Sequence, residues 1–213
     1  MDFDKNIFHY KTYDDISINS VNFNDYIDSD KDNIIYIQFS RWIMKSFEEV
    51  INTRRSVREY SDREVEEEKI DKILKSGMQA PGSRLGAEPW EFLVIRNKDT
   101  LAKLGEIKPR VAGCNVAIVL IANTERAFYK DMWQQDLSAA CENMLLEACN
   151  LDLGGLWNGV APDTERMDKI AEIIDLPNNL KVFAIVTLGY PGEGQENKFM
   201  DKFDPSRIHF EKY

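Results

Sequence analysis

From Phe47 onward, apolar positions recur with helical spacing in some stretches and run unbroken in others. Phe47, Val50 and Ile51 share one face of a short helix. Ser61-Asp62-Arg63-Glu64 has the form of a capping box and predicts a second helix, lined by Val65, Ile70, Ile73 and Leu74 and closed by the stretch from Gly77 to Pro81. Phe92-Leu93-Val94-Ile95 predicts a strand between Pro89 and Asn97-Lys98, and Leu101 with Leu104 marks a short helix. The apolar run from Val116 to Ala122 predicts a strand buried on both faces. A long helix follows from about Asp131 to Leu151, with Leu137, Ala140, Cys141, Met144, Leu145 and Ala148 as its stripe and Gly154-Gly155 as its stop. Leu156-Trp157 then leads into a loop. Asp163 caps a helix bearing Met167, Ile170, Ala171 and Ile174, and Val182 to Leu188 forms a last strand before Gly189-Tyr190-Pro191. Interleaved helices and strands predict a layered α/β domain and not a bundle or β-sandwich. The chain has no internal repeat.

Composition narrows the picture. A length of 213 residues suits one domain or one domain with an appendage, and 30% charged content with only 11 Gly and 7 Pro does not argue for a wholly disordered, fibrous or low-complexity chain. The 37 acidic residues outnumber the 27 basic ones, for a net charge of −10, which argues against general binding to nucleic acid or an anionic membrane. Residues 1 to 40 hold eight Asp and three Lys with no Glu, Gly or Pro, so half of the excess sits in a segment foreign to the rest. Residues 1–43 are therefore read as an acidic N-terminal extension and 44–213 as the working domain. Three accounts fit the extension: an upstream frame joined to a gene starting at Met44, a true extension packing residues 34–43, or a disordered acidic arm. Cys114, Cys141 and Cys149 form no CxxC pair, and His9 and His209 lie far apart, so neither a zinc site nor a disulfide framework is written. Asp2, Asp4 and Asp14 stand where a signal peptide needs positive charge, and no apolar run is long enough to span a bilayer. A cytoplasmic protein is expected, with no metal, nucleic acid or membrane partner.

The candidate chemistry begins at Arg54-Arg55-Ser56-Val57-Arg58. Guanidinium groups hold a phosphate through paired N–H donors, and Ser56 can add an O–H. The alternative is a solvated basic turn paired with Glu48, Glu49, Glu59 or Glu64. Neither GxxxxGK[ST] nor a strand-linked GxGxxG is present, which leaves a smaller phosphorylated cofactor as the candidate ligand. Two further segments, Ala80 to Trp90 and Gly154 to Gly159, combine Gly, Pro and Trp and could wrap a planar ligand or simply connect elements.

In order, the pattern RRSxR, then APxS…PW before a strand, GG-x-W-x-G after a long apolar helix, LGYP and a basic tail resembles the nitroreductase family of FMN-dependent oxidoreductases. The resemblance runs from about Met44 to the C-terminus, and the stretch Asp204 to Phe210 is similar to small bacterial members. It implies an α+β fold, a three-layer α/β/α sandwich with a mixed central sheet, working as a homodimer with FMN at the subunit interface. It further implies that Arg54, Ser56 and Arg58, with Arg55 as a neighbour, hold the FMN phosphate and pyrimidine edge, and that Lys202 or Arg207 adds charge there. Pro81, Gly82 and Ser83 of the other subunit would lie along the isoalloxazine, and the turn at Trp157, Asn158 and Gly159 would aim a backbone amide at flavin N5. Two departures stand out: Leu85 and Gly86 occupy the region of a customary Asn, and Glu88 replaces a Gln, which places an extra carboxylate near the ring. Phe128, Tyr129 and Trp133 fall where the family has substrate-side aromatics, and they read equally as interface core.

The implied activity passes a hydride from NADH or NADPH through flavin N5 to a nitroaromatic, quinone or similar electron-poor small-molecule acceptor by a ping-pong mechanism. No catalytic side chain is required, because rate comes from positioning the donor carbon. A flavin-binding carrier or sensor with little turnover is the alternative. A specialised flavin enzyme, such as a dehalogenase, would show a larger insertion than the short stretch from Asn97 to Lys130.

Overall fold

The computed structural model describes residues 45–213, so the reading of the acidic extension lies outside the described residues. Four strands, β1 (Trp90–Ile95), β2 (Val116–Asn123), β3 (Gly154–Gly159) and β4 (Leu180–Gly189), form one sheet in the order β1-β2-β4-β3. All three strand pairings are antiparallel. The expected mixed sheet is thereby corrected: the parallel pairing among the described residues is an isolated bridge between Ser56 and Gly155.

Helices α2 (Glu67–Met78) and α4 (Trp133–Asn150) pack with Val116, Ile118, Leu120 and Ala122 of β2 in one core. Helices α3 (Lys98–Ile107) and α5 (Thr164–Ile173) pack with Ala117, Val119 and Ile121 in a second. Successive strand residues point to opposite faces, so a strand feeding both cores has no polar position, which accounts for its unbroken apolar run. In β4 the register jumps, with Leu120 opposite Ala184 and Ile121 opposite Val182, and Phe183 is the extra residue. The bulge turns Phe183 into the first core, 6.1 Å from the Trp133 ring and 5.6 Å from that of Trp157.

Helix starts follow local chemistry in several places. Ser46 caps α1 (Phe47–Thr53) by accepting from Glu49 N, Asn97 caps α3 through Thr100 N, and Asp163 caps α5 through Arg166 N. Within α1 only Val50 is buried, while Phe47 and Ile51 are exposed. The capping box at Ser61 to Glu64 does not form. α2 starts at Glu67, because Ser61 N donates to Tyr190 O and Tyr60 bridges Pro191, holding this stretch extended. Gly154-Gly155 is likewise no helix stop. α4 ends at Asn150, the chain turns through Asp152 at φ 62°, and the two glycines open β3, as does the expected loop at Leu156-Trp157. No helix among the described residues is long and apolar enough to cross a membrane, and none of them form a metal-ligating cluster.

Candidate functional site

The site is built on the outer edge of β3. Gly155 O accepts from Val57 N at 3.1 Å, which lays residues 54–58 beside the strand. Val57 is buried against Gly154, where an added Cβ would stand 2.5 Å from the valine side chain, so only glycine admits this approach. The Tyr60 hydroxyl reaches Val57 O at 3.0 Å and Thr187 Oγ1 at 2.9 Å, tying the segment to β4; burial pushes its phenol well above the ordinary value.

The segment also meets the C-terminal tail. Gly192 N donates to Glu59 O at 2.9 Å, Arg58 N to Gln195 Oε1 at 3.1 Å, and Arg55 N to Asn197 Oδ1 at 3.1 Å. Asn197 Nδ2 in turn donates to Leu153 O at 2.9 Å. Between the two walls lies a groove of about 340 Å³, with Arg54, Arg55, Ser56 and Arg58 on one side and Gln195, Lys198, Met200 and Lys202 on the other.

None of the neighbouring acids proposed as partners pairs with these arginines among the described residues. Arg54 Nε meets Glu142 of α4 at 3.2 Å, while Glu59 pairs with Arg110. Arg55 donates to the carbonyls of Arg54 and Asn52, and its buried Nε has no partner. Arg58 donates to Ser56 O at 3.0 Å. The acid lining the groove, Glu196, is bound to Lys198 at 3.0 Å. Three guanidinium groups, two ammonium groups and the Ser56 hydroxyl fit a phosphate dianion, and an orphaned buried Nε is a donor still to be satisfied. Arg207 does not join them; it pairs with Asp204 at 2.9 Å on an exposed 3-10 turn (Pro205–Arg207).

Trp157, Asn158 and Gly159 lie in β3. Because Gly155 turns its carbonyl outward, the alternation of an antiparallel strand turns the main chain of Trp157 and Gly159 outward too and that of Asn158 toward β4. The Asn158 side chain is buried and donates to Ile185 O at 3.1 Å and Thr187 Oγ1 at 3.3 Å, so it braces the strand.

Pro81, Gly82 and Ser83 are exposed on the loop before β1 and do not line the groove. Ser83 Oγ donates to Asp136 Oδ1 at 2.7 Å; Asp136 is buried in the first turn of α4 and its Oδ2 has no partner. Glu88 bends back on its own loop, accepting from Gly86 N at 3.0 Å, and these backbone donors hold its carboxyl below the usual range. Gly86 at φ 81° permits that turn. Arg84 stacks over Phe128, 4.8 Å from the ring centroid, and Tyr129 meets Phe128 edge-on at 4.7 Å. Phe128 and Tyr129 are exposed, whereas Trp133 is buried against Phe183 in the first core.

Sequence reasoning missed Glu142, Asp136, Gln195 and Asn197. Only the last two carried a signal, the i, i+2 spacing of side chains on one side of an extended segment.

Comparison with known proteins gives the same assignment along the chain. The model of the nitroreductase family matches residues 51–112 and 105–190. A protein of Archaeoglobus fulgidus, provisionally named NADH dehydrogenase/NAD(P)H nitroreductase, is 43% identical over 169 residues, which are 77% of this chain and 97% of that one. A crystal structure from Clostridium acetobutylicum, provisionally named an NADH oxidase, has a TM-score of 0.74 and 44% identity, covering 77% of this chain and 99% of its own. A Desulfovibrio desulfuricans protein described as a nitroreductase in complex with FMN has a TM-score of 0.66 and 29% identity, covering 79% of this chain and 98% of its own. The chain belongs to the nitroreductase family.

Proposed function

We propose that the protein is an FMN-dependent oxidoreductase that takes a hydride from NADH or NADPH and delivers it to an electron-poor acceptor such as a nitroaromatic or quinone, the two ligands using one face in turn. The observation that carries this is the cationic groove of Arg54, Arg55, Ser56, Arg58 and Lys202, with a donor set made for one phosphate. The bound flavin supplies the two-electron chemistry at N5. The protein's part is positional: the groove holds the phosphate end, and the outward amides of Trp157 and Gly159 offer fixed dipoles beside the same wall.

A homodimer with helical layers on both faces of the sheet completes this reading. Pro81, Gly82 and Ser83 lie outside their own chain's groove and would serve that of the partner, and Ile51, Phe199 and Phe203 expose apolar surface beside the groove. Phe128 and Tyr129, with Arg84, are the candidate acceptor-side group.

The test uses the purified full chain. It is expected to be yellow or to turn so on adding FMN, to sediment at twice the chain mass, to bleach anaerobically with NADH or NADPH, and to recover colour with a nitroaromatic or quinone. Protein that stays colourless with added FMN refutes the reading; bleaching without recovery by any acceptor leaves a carrier or sensor instead.

A further inference from the structure

Two uncharged side chains fasten the tail wall of the groove to the arginine segment. Residues 54–58 offer two main-chain N–H groups to the tail: Arg55 N bonds Asn197 Oδ1 and Arg58 N bonds Gln195 Oε1, each at 3.1 Å. Both donors belong to residues whose guanidinium groups line the groove. Asn197 makes a second bond, from Nδ2 to Leu153 O at 2.9 Å, one residue before β3 begins. A single amide thus joins the arginine segment, the tail and the strand. Arg55 NH2 adds a bond to Met200 O at 3.4 Å, farther along the tail. These contacts fix where Lys198 and Lys202 stand relative to Arg54 and Arg58.

Resting on the proposed function, we infer that Gln195 and Asn197 are positioning residues that make the tail the second wall of a phosphate site, and that they set how strongly the protein prefers FMN to the same flavin without its phosphate. They act through main-chain atoms of the arginine segment and through the placement of the tail lysines. A long cationic side chain on an untethered tail would spend much of its contact energy on being ordered, whereas a tethered one does not.

Riboflavin has the ring and ribityl chain of FMN and lacks the phosphate, so it separates this role from general damage to the fold. The full chain, stripped of flavin, is titrated with FMN and with riboflavin by fluorescence. The unsubstituted protein is expected to bind FMN about 100-fold more tightly than riboflavin, as several charge-assisted contacts to one phosphate imply. In Asn197→Ala and in Gln195→Ala that ratio is expected to fall roughly tenfold, with riboflavin affinity within twofold of its starting value. Gln195→Glu keeps the acceptor for Arg58 N but adds negative charge to the groove, and should also weaken FMN alone. If both alanine variants keep the starting ratio, or lose FMN and riboflavin alike, the inference is overturned while the phosphate reading stands. If the unsubstituted chain binds both flavins equally, the phosphate reading itself fails and takes the inference with it.

Discussion

Glu142 sits on α4 within 3.2 Å of Arg54 Nε, so the groove's first arginine is partly neutralised before any ligand arrives. Glu142→Gln retains an oxygen acceptor for that Nε and removes the competing charge. The pair is part-exposed, which limits the effect to roughly 0.6–1 kcal/mol, and FMN affinity measured by fluorescence titration should rise about threefold to fivefold. Unchanged or weaker binding would mean that Glu142 orients Arg54 more than it competes for it. The arginines themselves were legible, because three such residues around a serine have few uses in an acidic chain. Their partners were not: Glu142 and Asn197 lie far away in sequence, and only Asn197 carried even a local hint, its i, i+2 spacing from Gln195. The burial of Trp133 against Phe183 and the pairing of Arg207 with Asp204 are contacts of the same kind, which residue type alone does not record.

Strand β3 was the element least legible from sequence. A run of Gly-Gly-Leu-Trp-Asn-Gly has the composition of a turn, yet its glycines answer to neighbours remote in the chain. Gly154 makes room for Val57, and a Cβ on Gly155 would come within 2.8 Å of Leu145. Gly154→Ala should therefore cost about 1–3 kcal/mol, read as a lower urea midpoint, and should weaken FMN binding by displacing the arginine segment. Gly113→Ala is the control: nothing lies within 4 Å of its added Cβ, and the change should stay within about 0.5 kcal/mol. Equal effects at the two positions would remove the close-approach argument. By contrast β2, α3, α4 and α5 were read correctly in kind and nearly in extent, because long periodic or unbroken apolar patterns reflect burial directly. The late start of α2 shows the limit of motif reading, since a capping box competes with the bond from Ser61 N to Tyr190 O and loses.

Across the whole molecule, interleaved helices and strands announced a covered sheet, but strand direction is decided by connections that composition does not record. One such connection sets the acid stability. The start of α2 is fastened to the end of β4 by Glu66, whose carboxylate accepts from the Tyr190 hydroxyl at 2.8 Å and from Arg63 at 2.9 Å. A backbone hydrogen bond, then Tyr190 and Arg63, lower the Glu66 carboxyl from 4.5 to about 2. A depressed carboxyl stabilises the fold above its unfolded value and stops doing so as pH falls through the folded one, so this contribution is present at pH 5 and is lost toward pH 2. Desolvation, then Glu66, raises the Tyr190 phenol to about 12, and its contribution is present below pH 10 and lost as pH rises past 12. Urea midpoints followed from pH 7 to pH 2 should decline, and Glu66→Gln should decline less over the acid limb; parallel curves would remove Glu66 from the account.

The tethers at Gln195 and Asn197 also impose an order in time. Ribosomes make the arginine segment early and the tail after the last strand, so all four strands can be in place while the groove still lacks a wall. On the proposed reading, cofactor loading through the phosphate then has to wait for the tail, and a nascent chain stalled after β4 is expected to lack the preference for FMN over riboflavin.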